Sequence, residues 1–267
     1  MTDAALEPLR TAGAQRARGG AWLRAAWRQY RLERRMFWRN PSAAFFNFLL
    51  PLLFLVLFGA LYADEADLLE VIVPGIAGMS VVAATFSTLA YNLTYLRERG
   101  ILKRIRGTPM PSSAYLAAIA GHAVTNTALQ VGIITAAGAL VFGVDWPRDW
   151  AAMAVFVVVG VVCFAALGVA LSHVIPNFES APAYVNAAFL PMLVISGVFY
   201  EDEDAPRFLS ALAEILPLKH LVDGLAGAMV DGEGIATHWA ALLVLVLWGV
   251  AGAAFAVRGF SWDARRS

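Results

Sequence analysis

Six apolar stretches of about eighteen residues or more alternate along this chain with short polar segments. At 1.5 Å per helical residue, about twenty residues reach ~30 Å, the thickness of a bilayer's hydrocarbon layer. The pattern predicts an all-α polytopic membrane protein with six transmembrane helices at about 43–62, 71–95, 114–142, 150–174, 183–200 and 239–257. Pro51 predicts a bend in the first of these, and the fifth is short and contains Pro191. Trp146, Trp150 and Trp239 fall at predicted boundaries on one side and Trp262 just past a boundary on the other, where interfacial aromatic belts belong.

Two segments break the alternation. From Trp22 to Arg39, residues Arg24, Arg28, Arg31, Arg35 and Arg39 recur at steps of three and four, which puts them on one helical face. Leu23, Ala26, Trp27, Tyr30 and Phe37 take the other. A basic, aromatic-rich amphipathic helix of this kind lies in the headgroup layer of an anionic leaflet, and Asn40-Pro41 ends it. The chain thus divides into a tail (1–21), an interfacial helix (22–40), a six-span domain (41–260) and a second tail (261–267). The other break is 201–237, where Ala205–Leu216 and Leu218–Val230 are apolar pieces separated by Pro217 and too short to span. They read as paired half-helices lying on or dipping into the outer leaflet, with Glu214, Lys219 and Asp223 near water. Lys219 and Asp223 stand four residues apart, within reach of each other on a helix. The pair is expected to form either a hinged gate or a static cap.

Charge orients the chain. Lys and Arg number 9, 0, 5, 1, 0, 2 and 3 in the successive segments outside the spans. Alternate segments therefore hold 17 of the 20 basic residues, and the rule that such loops stay inside places both termini in the cytoplasm. The formal net charge of zero conceals this split, and 60% hydrophobic against 15% charged residues excludes an ordinary soluble domain. The single cysteine, Cys163, permits no intrachain disulfide. Residues 1–40 lack the apolar core of a removable signal peptide, so the first span is expected to direct insertion. A multi-pass protein of the cell (plasma or inner) membrane is expected.

Much chemistry is missing. The chain contains no G-x-x-x-x-G-K-[ST] phosphate loop, no H-E-x-x-H and no G-x-S-x-G turn, and its four histidines are scattered. Neither a catalytic residue nor a metal site is expected, and no nucleic-acid partner. What remains is transport with energy from elsewhere. Thr85, Thr88 and Asn92 share a narrow arc of the second span, and His122, Asn126 and Gln130 recur every four residues in the third. Such stripes either line a pathway or hydrogen-bond one helix to another. A carboxylate deep in a span, the usual mark of an ion-coupled carrier, is absent, which disfavours a channel or carrier working alone.

The segment between the second and third spans runs R-E-R-G-I-L-K-R-I-R-G-T-P-M from Arg97 to Met110, with Ile101, Leu102 and Ile105 as an apolar edge among basic residues. It resembles the loop signature of type-two exporter permeases of ATP-binding-cassette transporters, many of which read like E-x-G-T-L-x-R-L-x-x-T-P-L. Ile101 and Met110 depart from the usual Thr and Leu. The six spans, the basic amphipathic helix before them and S-G-V-F-Y (Ser196–Tyr200) before a paired outer segment extend the likeness over the whole chain. The drug- and antibiotic-export branch is nearest, with polysaccharide and lipid exporters as relatives.

The resemblance implies a half-transporter, paired with an identical or different permease chain above two cytoplasmic ATPase subunits that bind ATP and Mg; no cofactor is expected on this chain. It implies an ATPase-coupling helix over Glu98, Arg99, Gly100, Ile101, Leu102, Arg104, Ile105, Thr108 and Pro109. Arg24, Trp27, Arg28, Arg31 and Arg35 would flank the ATPase, and Ile175–Pro182 would make a second contact. Pro217, Lys219 and Asp223 would belong to an outer gate.

Overall fold

The computed structural model describes residues 7–62, 65–107, 110–196, 198 and 207–259. Its regular elements among these residues are all helical: α1 (Glu7–Trp38), α2 (Pro41–Leu61), α3 (Ala66–Val82), α4 (Thr88–Glu98), α5 (Ile101–Arg106), α6 (Ser112–Phe142), α7 (Trp150–Val174), α8 (Ala181–Ile195), α9 (Arg207–Ala213), α10 (Pro217–Ala226) and α11 (Trp239–Gly259). A π-turn over Ala83–Ser87 joins α3 to α4, so that 66–98 forms one long rod. Five helices are long and apolar enough to cross a membrane: α2, the α3–α4 rod, α6, α7 and α11. The stretch expected as a fifth span forms only the 15-residue α8, about 22 Å long and short of a full crossing by itself.

The rod is the most enclosed of the five, packed by α2, α6, α7 and α10. Ile72, Ile76, Phe156, Phe164, Leu218, Leu221 and Leu225 are fully buried in one continuous core around it. Hydroxyls along the rod bond back to its own carbonyls: Ser80 to Ala77, Thr85 to Val81 and Thr94 to Ala90, at 2.6–2.7 Å. Thr88 reaches five residues back to the Ala83 carbonyl (3.1 Å), the spacing of the π-turn itself. Against this turn lies Gly168 of α7, where an added Cβ would sit 2.5 Å from the Phe86 carbonyl oxygen. Gly249 likewise brings α11 near the backbone of Cys163, 3.3 Å from a Cβ position.

The bundle has two chemically distinct ends. The acidic end carries Asp145, Asp149 and the 227–238 segment. There Asp149 caps α7 by accepting from the Ala152 N–H (2.9 Å), while its own N–H donates to the Ala228 carbonyl (2.9 Å). At the opposite, basic end lie Trp38, the α4–α5 junction, 175–180 and the C-terminal end of α11.

Between α8 and α11 the chain re-enters the bundle instead of resting on its surface. The Trp248 indole N–H donates to the Ile215 carbonyl (2.9 Å), and Trp248 lies nine residues, about 13 Å, along α11 from Trp239. Non-helical backbone at that depth survives only where protein satisfies its polar groups. Here Trp248 serves Ile215, the His220 ring nitrogen meets the Glu214 carbonyl (2.9 Å), and Leu216 N–H closes on Ala213 (2.8 Å). Pro217 then starts α10, which is sandwiched by α3, α7 and α11. Lys219 was expected near water; its side chain is instead only 7% exposed and pairs with Asp223 at 3.3 Å. The packing of Leu218, Leu221 and Leu225 into the core carries Lys219 inward with them.

Candidate functional site

At the basic end two segments distant in sequence are locked together. Arg97, the last buried residue of α4, donates through one guanidinium nitrogen to the Ser172 carbonyl (2.7 Å) and through the other to the Ile175 carbonyl (2.6 Å). These carbonyls terminate α7, where unpaired oxygens and the helix dipole favour a cation. Next along the chain, Glu98 accepts from the Phe178 N–H (2.6 Å), so its partner lies within this chain, in the 175–180 segment. Tyr95 meets the Phe178 ring edge-on at 5.4 Å, and the Arg99 guanidinium lies over the Tyr95 ring, 5.4 Å from its centroid. Gly100, at φ +66°, turns the chain into α5 through a left-handed conformation that favours glycine.

The apolar edge of α5 divides. Leu102 is buried with Leu89, Leu93, Tyr115, Ile119 and Ala165, anchoring the six-residue helix to the bundle. Ile101 is half-buried, and Arg104 is exposed. Ile105 lies within α5, and Thr108 and Pro109 fall outside the described residues. Among the described side chains of α5, Lys103 and Arg104 are the exposed ones, on a base held by Arg97, Glu98 and Leu102.

α1 packs along the basic-end part of α6. Trp22 donates to the Ser113 hydroxyl (2.9 Å), the Tyr30 and Thr125 hydroxyls meet at 3.2 Å, and Phe37 touches the His122 ring edge-on at 5.6 Å. His122 lies twenty residues, about 30 Å, before the end of α6 at Phe142, which places these contacts at the boundary of the apolar layer. Arg24, Arg28, Arg31 and Arg35 are exposed. Trp27, on the apolar face, is also exposed, stacked on Tyr30 at 5.1 Å. It sits too far around the helix from Trp22, Tyr30 and Phe37 to reach α6.

The two polar stripes face each other. Thr88, Asn92, His122 and Asn126 line a cavity of about 200 Å³, together with Asn47 of α2 and Glu33 of α1. Thr85 lies outside the cavity, bonded to its own helix. Gln130 joins helices, donating to the Asn47 carbonyl (2.7 Å). At the re-entrant tip, Pro217 and Leu216 border a larger apolar groove of about 370 Å³ between α7, α8 and α11.

Sequence reasoning assigned no role to Asn47 or Glu33, and it placed Arg97 and Phe178 in their two segments without joining them. Two had a visible signal: Asn47 is the one strongly polar residue in its span, and Glu33 the one acid of the basic helix. Arg97 and Phe178 had none, because their significance depends on α4 and α7 ending side by side.

The family described as ABC-2 type transporter matches residues 23–230, which include the Arg97–Phe178 lock and all the residues that line the polar cavity. The chain belongs to that family. Similar proteins include the inner membrane transport permease YadH of Escherichia coli, 23% identical over 178 residues, covering 64% of this chain and 69% of that one. Nodulation protein J of Rhizobium meliloti is 25% identical over 216 residues, with 78% and 80% covered. The linearmycin resistance permease protein LnrN of Bacillus subtilis is 24% identical over 162 residues, with 57% and 42% covered. As an ABC-2 permease the chain is the membrane subunit of a transporter whose ATPase activity resides on a separate partner chain.

Proposed function

We propose that this permease exports an amphipathic, drug- or antibiotic-like small molecule, as one of two permease chains above a pair of ATPase subunits that bind ATP and Mg. The basic end faces the cytoplasm, where α5 and the 175–180 segment form the ATPase-docking platform and α1 flanks it in the headgroup layer. The observation that carries this reading is the lock between the two inner segments: Arg97 on Ser172 and Ile175, and Glu98 on Phe178. A bland cytoplasmic loop needs no buried arginine and no fixed junction. The antibiotic-resistance name of one relative supports the substrate class. The re-entrant segment around Pro217, Lys219 and Asp223 serves as the outer gate.

Glu98 provides the test. Removing its carboxylate releases the Phe178 N–H and loosens the second segment from the first, while Arg97 still holds the end of α7. Glu98→Ala should therefore keep normal abundance and still co-purify the ATPase, yet lose most substrate-stimulated transport relative to ATP hydrolysed. Measurement is by vesicle uptake and phosphate release on the same preparation. Full coupling in Glu98→Ala, or failure of the native chain to retain any ATPase, would overturn the reading. A resistance panel on a strain lacking the gene identifies the substrate.

A further inference from the structure

The groove of about 370 Å³ between α7, α8 and α11 lies in the half of the apolar layer nearer the basic end. Its wall on α7 runs from Leu167 to Val174, the last residue of that helix, and its wall on α11 from Trp248 to Phe255. Each wall covers seven residues, about 10 Å of helix. Counted from Trp239 at the acidic end, Trp248 and Phe255 stand about 13 and 24 Å into a layer of ~30 Å. The groove therefore follows the helix axes from mid-depth towards the headgroups, the course of an acyl chain.

Its chemistry excludes a polar occupant. Every lining residue is apolar or aromatic, and the one strong side-chain donor among them, the Trp248 indole N–H, is held by the Ile215 carbonyl (2.9 Å). A polar group placed there would lose its partners in water and gain none, whereas an alkyl chain loses nothing. Ala188, Val174 and Phe255 on the rim are exposed, so the groove opens sideways to the bilayer, and water would find no partners in it. Leu216 and Pro217, held at the depth of Trp248 by the indole bond, close the mid-depth end. The other end opens beside Arg258, one turn beyond Phe255, exposed and about 28 Å from Trp239, where headgroups lie. Arg97, the other cation at this end of α7, is engaged on the Ser172 and Ile175 carbonyls, and no acid lines the groove. An anionic head above the groove thus meets a cation.

We infer that this groove binds one acyl chain of an anionic phospholipid from the leaflet at the basic end, with the lipid phosphate paired to Arg258. The site stands apart from the exporter reading, since it uses neither ATPase nor cargo. Occupancy supports the re-entrant tip from below, because the ring that holds the Ile215 carbonyl is also a wall of the groove. The experiment uses the full chain in phosphatidylcholine nanodiscs, without ATPase. Phosphatidylglycerol and phosphatidylcholine probes carry the same mid-chain diazirine and are added at the same low fraction. Adducts are mapped at Met192 and Trp248 in the groove and at Leu129 of α6, which is exposed thirteen residues, about 20 Å, from the Phe142 end and so at matching depth. The phosphatidylglycerol probe should label the two groove residues about fivefold more than the phosphatidylcholine probe, the preference expected of one basic residue at the surface, and Leu129 equally. Arg258→Gln should remove the preference. Ala188→Trp, which fills the groove from its rim, should abolish labelling of Met192 and Trp248 by either probe while Leu129 stays labelled; Ala188→Leu is the second filler if that variant folds poorly. Equal groove labelling by both probes would mean a groove for any tail, and a preference that survives Arg258→Gln would remove the head-group pairing. Labelling of Met192 that survives both fillers would place the chain elsewhere. No labelling of the native groove would mean that another occupant, such as a second copy of the chain, covers it. Each of these outcomes overturns the site.

Discussion

Arg97 buries its charge against two carbonyls at the one kind of place where that is favourable. Two charge-assisted bonds satisfy the last turn of α7, and the positive charge opposes the negative end of the helix dipole. Arg97→Met should lower stability by about 3 kcal/mol, since bonds to charged groups are worth more than neutral ones and both carbonyls lose their partner. Arg97→Lys, a point donor in place of a fork, should recover about half of that loss. Thermal unfolding of the purified protein in detergent checks the order native, Lys, Met; equal melting of all three would show that the clamp carries no weight. The neighbouring residues show what sequence can and cannot reveal at this scale. Ile101, Leu102 and Ile105 read as one apolar edge in the sequence, and of these Leu102 fills a site in its own bundle.

At the scale of elements, hydropathy located the long helices because apolar length is a property of consecutive residues. The π-turn and the re-entry of α9 and α10 were harder to see, since both depend on what stands opposite. Gly168 and Ser172 stand at the four-residue spacing of small residues common in close helix packing, a pattern that carries no indication that the partner surface is the π-turn. A methyl group at Gly168 meets backbone at 2.5 Å, and backbone cannot rotate away as a side chain can. Gly168→Ala should therefore cost about 1–3 kcal/mol. Gly132→Ala in α6, where nothing lies within 4 Å of the added carbon, should be neutral or stabilising by up to ~1 kcal/mol. Similar melting shifts for the two would remove the close approach as an explanation. The tip before α10 depends on one indole: Trp248→Phe keeps the ring and deletes the donor to Ile215. Its expected cost is about 1–2 kcal/mol, the worth of an interhelical hydrogen bond in a membrane, with faster hydrogen exchange confined to the tip. Unchanged exchange there would mean that the Ile215 carbonyl finds another partner.

For the whole molecule, the segregation of charge and the packing describe the same polarity. The Arg97 clamp, α5 and the exposed arginines of α1 gather at one end; Asp145, Asp149 and Glu233 gather at the other. Basic loops resist translocation, so the basic end is expected in the cytoplasm. α7 and α11 run parallel, as Gly249 beside Cys163 and Gly252 beside Leu167 require. Parallel neighbours with one helix-long crossing each must have both starts on the same side, which ties the orientation of α11 to that of α7. Exposed positions at the two ends then give a direct measurement. In a Cys163→Ser background, Asp145→Cys should react with an impermeant maleimide in intact cells, while Arg104→Cys should react only after permeabilisation. A third cysteine at Thr237, exposed in the turn before α11, should follow Asp145 and not Arg104. If Asp145→Cys and Thr237→Cys fell on different sides, the parallel packing of α7 and α11 could not hold in the membrane. If both were protected and Arg104→Cys labelled in intact cells, the fold would stand but inverted, and the ATPase would have no platform to meet.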